Sequence, residues 1–354
     1  MVEWLAGNRI RGTNAERTTT TGIGNEVGGW VELGRTTLGS ASDAVDVTSL
    51  ADKRYLMVLG SMLPSGTIQT RVRENSNSGS VYAHRFSING GADGALASQA
   101  GVFLHNADAA VPNFSVGYCA NLSTKEKLNL THYVGQSTAG AGTAPLRSEN
   151  AWKLADTTNP IDAINYYNAQ TGDFDTGSEV VVLGWDPADT HTTNFWEELG
   201  SDTLTSAGNN LTTGTITAKK YLWIQTMSLG TGNVNGRITF NDDTTTYAER
   251  YSLNGAADPT PSVSRADIFV HPTGGAGEVN VFTNMFVINN SANEKLVIGH
   301  SVAQSTATAG YVPNRSEFVA KWDNVSTQIT KIDFDNAETG SYGIGTTLKV
   351  WGHD

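Results

Sequence analysis

One stretch of the chain is written twice. Thr171-Gly-Asp-Phe-Asp-Thr-Gly-Ser-Glu-Val-Val-Val-Leu-Gly-Trp-Asp186 returns, with substitutions, as Thr339-Gly-Ser-Tyr-Gly-Ile-Gly-Thr-Thr-Leu-Lys-Val-Trp-Gly-His-Asp354. Each copy reads as a turn followed by a strand. Gly172 and Gly177, like Gly340 and Gly345, supply backbone freedom, and the run behind them is β-branched and apolar. The doubling extends through most of the chain. Trp30-Val-Glu-Leu-Gly-Arg-Thr-Thr-Leu38 recurs as Trp196-Glu-Glu-Leu-Gly-Ser-Asp-Thr-Leu204 at an offset of 166 residues, and Tyr82-Ala-His-Arg-Phe-Ser-Ile-Asn-Gly90 recurs as Tyr247-Ala-Glu-Arg-Tyr-Ser-Leu-Asn-Gly255 at 165. Asn121, Glu126, Lys127 and Leu128 answer to Asn289, Glu294, Lys295 and Leu296 at 168. Offsets that drift so little leave room for loop changes only, so the two copies must share one fold.

Within each copy the apolar runs are short and separated by turn clusters such as Ser65-Gly66, Asn89-Gly-Gly91 and Thr171-Gly172. The 38 glycines in 354 residues and the lack of a long helical period point the same way. The expected fold class is all-β: two tandem, internally duplicated antiparallel β-sandwiches, jelly-roll-like and of about eight strands each, with an extended N-terminal arm. The boundaries fall at 1–29 for the arm, 30–186 for the first sandwich, 187–195 for a linker and 196–354 for the second sandwich. The linker opens with Pro187, a residue that ends the strand before it. So short a connection should hold the two modules in contact.

Two features suggest surfaces that associate. The leader, residues 1 to 29, cannot build a core alone, yet Trp4, Leu5 and Ile10 are costly to leave in water, and Arg9 and Arg11 flank Ile10. It is either a loose end or an arm that orders against a neighbouring subunit. The run Val180-Val-Val-Leu183 is apolar on both faces, whereas Lys349 stands where Val181 does in the other copy. A strand apolar on both sides is covered on both, so the outer face around Val181 should meet the second module, the leader or another subunit. The assembly candidates are therefore Trp4, Leu5, Arg9, Ile10, Arg11 and Val181.

The net charge of −12, with Lys and Arg scattered, argues against nucleic-acid partners. Cys119, the only cysteine, excludes an internal disulfide and reads as an apolar strand position. No secretory h-region follows Met1 and no run approaches a membrane span, so a chain made and folded in cytoplasm, with no membrane partner, is expected.

Chemistry has few footholds. Four histidines pair across the copies, His105 with His271 and His132 with His300, but no Cys or His-x-His accompanies them, and hydrogen-bonded histidines at strand ends are the expectation rather than a metal site. Arg147 and Glu149 return as Arg315 and Glu317, Arg85 as Arg250, and Lys153 as Lys321. Arg-x-Glu on a strand puts both side chains on one face, suited to holding a loop by ion pairs or to contacting a ligand. Asp173 and Asp175 become Ser341 and Gly343 in the other copy, which tells against a shared calcium loop, and Asp242-Asp243 follow a strand. No Ser-His-Asp elbow, phosphate loop, HExxH or dinucleotide fingerprint is present, so no catalytic residue, no cofactor and no enzyme are expected. Trp30, Trp152, Trp185, Trp196, Trp223, Trp322 and Trp351 could stack on sugars, although most lie in strand patterns that look like core.

Leu5-Ala-Gly-Asn-Arg-Ile-Arg-Gly-Thr13, together with the closing strand of the Gly-Ser-Glu-Val-Val-Val-Leu-Gly184 type, resembles tandem β-sandwich, jelly-roll-like structural proteins of marine viruses and related uncharacterised environmental proteins. The resemblance implies a self-assembling virion component, in a capsid, a capsid decoration or a tail or fibre, assembled in the host cytoplasm. Its partners would be other copies of itself and other virion proteins. The alternative is a carbohydrate-binding or adhesin module at an extracellular surface, with glycans as partners.

Overall fold

The computed structural model describes residues 29–105, 110–187, 189, 194–270, 280–304, 309 and 312–354. These residues form strands and turns with no helix. In the first module β1 (Val31–Thr37), β2 (Ala44–Val47), β3 (Tyr55–Met62), β4 (Thr70–Glu74), β5 (Tyr82–Ile88), β6 (Gly94–Gln99), β7 (Val102–Phe103), β8 (Asn113–Ala120), β9 (Lys127–Gly135), β10 (Leu146–Leu154), β11 (Ile164–Asn168) and β12 (Glu179–Trp185) make two sheets. The larger is ordered β1-β12-β3-β8-β9-β10-β5-β6 and the smaller β2-β11-β4-β7.

The second module repeats this order with β13 (Glu197–Thr203), β14 (Asn210–Thr212), β15 (Tyr221–Ser228), β16 (Gly230–Thr231), β17 (Gly236–Phe240), β18 (Tyr247–Leu253), β19 (Ser262–Arg265), β20 (Ile268–Phe269), β21 (Val281–Ile288), β22 (Lys295–Ala303), β23 (Asn314–Trp322), β24 (Ile332–Asn336), β25 (Ser341–Tyr342) and β26 (Thr347–His353). Its large sheet runs β13-β26-β15-β21-β22-β23-β18-β19 and its small one β14-β24-β17-β20, and β16 and β25 add a two-stranded ribbon.

Tandem sandwiches are what the doubling required, and the strand order identifies them as jelly rolls. β1-β12-β3-β8 facing β2-β11-β4-β7 is the eight-strand, double Greek-key order. The expectation of about eight strands undercounts each module, because β5, β6, β9 and β10 lengthen one sheet beyond the roll. Asn89 and Gly90, both at positive φ, turn the chain between β5 and β6, and Asn254 and Gly255 do the same in the second copy. Only residues that tolerate the left-handed region suit such a turn.

Three apolar clusters hold the protein together. One fills the space between the sheets of module one around Val45, Leu56, Val72, Val102, Tyr166 and Val182. Its equivalent in module two includes Leu222, Ile238, Phe318, Phe334 and Val350. The third joins the modules: Met57, Leu59, Phe114, Val116, Val134, Val181 and Leu183 pack with Trp196, Tyr221, Phe286, Ile288, Leu296, Ile298, Val319 and Trp351. All of these but Trp196 lie on the two large sheets, so the molecule is four layers deep, small sheet on large on large on small. Each aliphatic side chain buried there contributes about 1.5–3 kcal/mol. Val181 is fully buried in this third cluster, so among the three partners considered for its face module two is the one that covers it. Lys349, at the equivalent place, is part-exposed and lies 3.8 Å from Glu198.

Candidate functional site

Strand β9 inverts the usual pattern. Its inward residues Lys127, Asn129 and Thr131 are polar, while Leu128 and Leu130 point outward. The Lys127 amine donates to the carbonyls of Lys125 and Asp156 at 3.0 and 2.8 Å, and the Thr131 hydroxyl accepts from Trp152 Nε1 at 3.2 Å. The outer leucines instead floor a groove of about 1030 Å³, walled by Trp30, Tyr55, Leu96, Tyr118 and Trp185, with Arg85 and Lys153 among its lining residues. Tyr55 and Trp185 stack at 5.3 Å.

Comparison of the copies shows what kind of surface this is. Leu128 and Leu130 are 59% and 55% exposed, whereas their counterparts Leu296 and Ile298 are 1% and 2% exposed. Tyr221, Phe286 and Val319, which correspond to Tyr55, Tyr118 and Ala151, are likewise buried against module one. The face that module two uses as an interface is therefore open in module one. The reverse also holds: Phe114 and Val134 are fully buried, and their counterparts Phe282 and Val302 are exposed.

Beside the groove, at the boundary of the modules, lies a charged cluster. His132 faces Glu149 across the β9–β10 ladder, and His300 faces Glu317 across β22–β23. The packing of the modules then brings the two histidine rings to 4.2 Å between centroids. Glu149 Oε2 hydrogen-bonds His132 Nδ1, and Glu149 Oε1 lies 3.7 Å from His300 Nε2. Arg147, almost wholly buried, donates to Asp258 Oδ1 at 2.6 Å and to Glu317 Oε2 at 3.1 Å, and its Nη1 lies 3.6 Å from Glu149. A polar cavity of about 430 Å³ reaches His132, Arg147, Glu149, Arg315 and Glu317.

Burial and charge compete here. Burial disfavours protonation of His132, but the Glu149 carboxylate, with Glu317 behind it, outweighs it and raises the imidazole pKa. Burial would raise the Glu149 carboxyl, but the charge and hydrogen bond of His132, with His300 behind it, hold it well below the usual carboxylate range. Burial also opposes the charge on Arg147, and Asp258, Glu149 and Glu317 together more than compensate, so its pKa is raised.

The remaining residues singled out in the sequence scatter. Trp4, Leu5, Arg9, Ile10, Arg11 and His271 lie outside the described residues. His105 is buried with its ring 5.3 Å from that of Tyr133. Arg85 pairs with Asp93, Arg250 with Asp258, Lys153 with Glu126 and Lys321 with Glu294. Asp243 accepts from Trp322 Nε1 at 2.9 Å, and Asp242 pairs with Lys331. Trp152, Trp196, Trp322 and Trp351 are buried, and the partly buried Trp30 and Trp185 line the groove.

His132 and His300 sit in mid-strand, not at strand ends as the sequence suggested. The sequence carried half of the signal. A histidine seventeen residues before a glutamate occurs in both copies, and a hairpin register pairs them. Nothing in the sequence placed one copy's pair against the other's.

No protein-family model matches the chain, and no curated protein does. Solved structures give faint likenesses. Domains LG4-5 of the mouse laminin alpha1 chain align over 92% of this chain and 91% of that one at 9% identity and a TM-score of 0.19. Neisserial surface protein A aligns over 83% and 98% at 6% identity and a TM-score of 0.11. The translocator domain of the autotransporter NalP from Neisseria meningitidis aligns over 79% and 88% at 9% identity and a TM-score of 0.12. Likenesses at this level carry no argument about fold or function.

Proposed function

We propose that this chain is a non-enzymatic structural protein that assembles with other copies of itself, and that it serves as a virion component. One observation carries the self-assembly: apolar groups from both halves of the internal contact recur on exposed surface. The groove of module one is the open counterpart of the face that module two buries, and Phe282 and Val302 are the open counterparts of the face that module one buries. A second copy is the partner considered, because the groove of one chain and Phe282 and Val302 of the next repeat part of the internal contact, while Gln225, Asn284 and Lys349 stand where module one has Leu59, Val116 and Val181. The virion role draws support from the resemblance of Leu5 to Thr13 and of the closing strand, and from the jelly-roll order that viral capsid domains share.

Light scattering with concentration tests the assembly. The wild type should grow beyond a monomer, and Leu130→Lys or Val302→Lys should each reduce the assembled fraction. Mixing the two variants should recover dimers and nothing larger, since each retains one intact face. A wild type that stays monomeric, or two variants that assemble like it, would remove the proposal. Deleting residues 1 to 20 asks separately whether the leader contributes, and electron microscopy of the assembled material distinguishes shells or fibres from irregular association.

A second reading rests on the aromatic end of the groove. Tyr55 stacked on Trp185, beside Trp30, offers ring faces of the kind on which sugars stack, which favours a glycan-binding module at an extracellular surface. Binding to a glycan array that is lost in Trp185→Ala would support it over assembly.

A further inference from the structure

The cluster at the module boundary has the composition of a metal site. His132 Nδ1, a carboxylate oxygen of Glu149 and a ring nitrogen of His300 lie within 4.8 Å of one another. A tetrahedral zinc ion with bonds of about 2.1 Å spaces its ligand atoms roughly 3.4 Å apart, so a side-chain adjustment of about an ångström closes this set on an ion. Two imidazoles and one carboxylate are borderline donors, suited to zinc and its first-row neighbours and poorly suited to calcium or magnesium, which take mainly oxygen.

The surroundings agree. His300 Nε2 is shielded from solvent, and its distance of 3.7 Å from Glu149 exceeds hydrogen-bond length. The imidazole that crosses from module two thus lacks a well-formed partner at the point where an ion would sit. Arg147 donates to Asp258 and Glu317 at 2.6 and 3.1 Å and lies farther, at 3.6 Å, from Glu149. The polar cavity reaches His132 and Glu149, which leaves a route for the ion and for a water to complete its shell.

We propose that His132, Glu149 and His300 bind a divalent first-row transition ion, zinc foremost, and that the ion clamps the two modules together. Two ligands come from module one and the third from module two, so neither module alone holds the site. The clamp is independent of whether chains assemble with one another.

Calorimetry on the full chain, stripped with chelator and titrated with zinc sulfate, tests the site. One ion should bind per chain, the melting temperature should rise with zinc, and excess magnesium should not compete. His300→Gln and Glu149→Gln should each weaken binding by more than about tenfold. Absence of saturable one-to-one binding overturns the proposal, and so does undiminished affinity in His300→Gln, which would mark adventitious surface binding. X-ray absorption of the wild-type zinc complex needs no substitution that could impair folding. Two imidazoles in the coordination shell support the site, and one or none refutes it.

Discussion

Replacing Arg147 by methionine should weaken the protein by about 3 kcal/mol, because it breaks a buried ion-pair network and leaves acids behind. The guanidinium sits 2.6 Å from Asp258 and 3.1 Å from Glu317, both in the other module, and the Arg147 and Asp258 side chains are 2% and 3% exposed. Removing one partner of such a pair costs about 3–5 kcal/mol, most of it the desolvation of the charge left unpaired. Arg250 remains 3.7 Å from Asp258, which places the loss at the lower end. Urea unfolding followed by tryptophan fluorescence reads the change, and Asp258→Asn completes a double-mutant cycle. With Asp258 neutralised, Arg147→Met should cost less, with a coupling of about 1–3 kcal/mol. If Arg147→Met lies within about 0.5 kcal/mol of the wild type, or if the two substitutions add, the boundary is not held by this network and the reasoning fails.

Two further outcomes follow from the same burial. Val181→Lys forces an ammonium into the apolar layer between the modules and should separate their unfolding into two transitions, and a single transition at the wild-type midpoint would contradict the four-layer packing. Glu74 is fully buried, and burial raises its carboxyl to about 8. The folded form therefore keeps a proton that the unfolded form has released. The stability this contributes is complete below about pH 4.5, near the unfolded carboxyl pKa, and is lost as pH rises through about 8. Glu74→Gln should flatten the fall in melting temperature between pH 5 and pH 9, and equal slopes in both proteins would show that Glu74 is ionised in the fold.

Much of this architecture could be read from the residues. The doubling predicted two like modules, and the run Val180 to Leu183 showed that the outer face was covered, because a strand with water on one side does not place Val181 there. The added hairpins were less legible. β9 carries Lys127, Asn129 and Thr131 toward the inner side and Leu128 and Leu130 toward solvent, so an alternation rule assigns its two faces the wrong way round. The meeting of His132 with His300 could not be read at all, since it depends on the angle at which one sheet lies on the other and not on any local pattern.

The duplication also explains why the free surfaces exist. Two copies of one fold can meet like to like, and His132 against His300 is such a meeting. The apolar contact is of the other kind. Leu59, Val116, Val134 and Val181 of module one meet residues whose equivalents in module one are Tyr55, Leu128, Leu130 and Ala151, so two different patches of the same fold are joined. A contact between unlike patches does not consume both patches on both partners. It leaves one of each uncovered per pair, here the leucine groove on module one and, on module two, a face that keeps Phe282 and Val302 but carries Gln225, Asn284 and Lys349 in place of Leu59, Val116 and Val181. Repeated from chain to chain, a contact of that kind closes into a ring only if its rotation divides a full turn, and otherwise it extends without limit. Module two shows that the fold can cover the groove's equivalent with a sheet of its own kind, and the second copy of the protein is the nearest source of one.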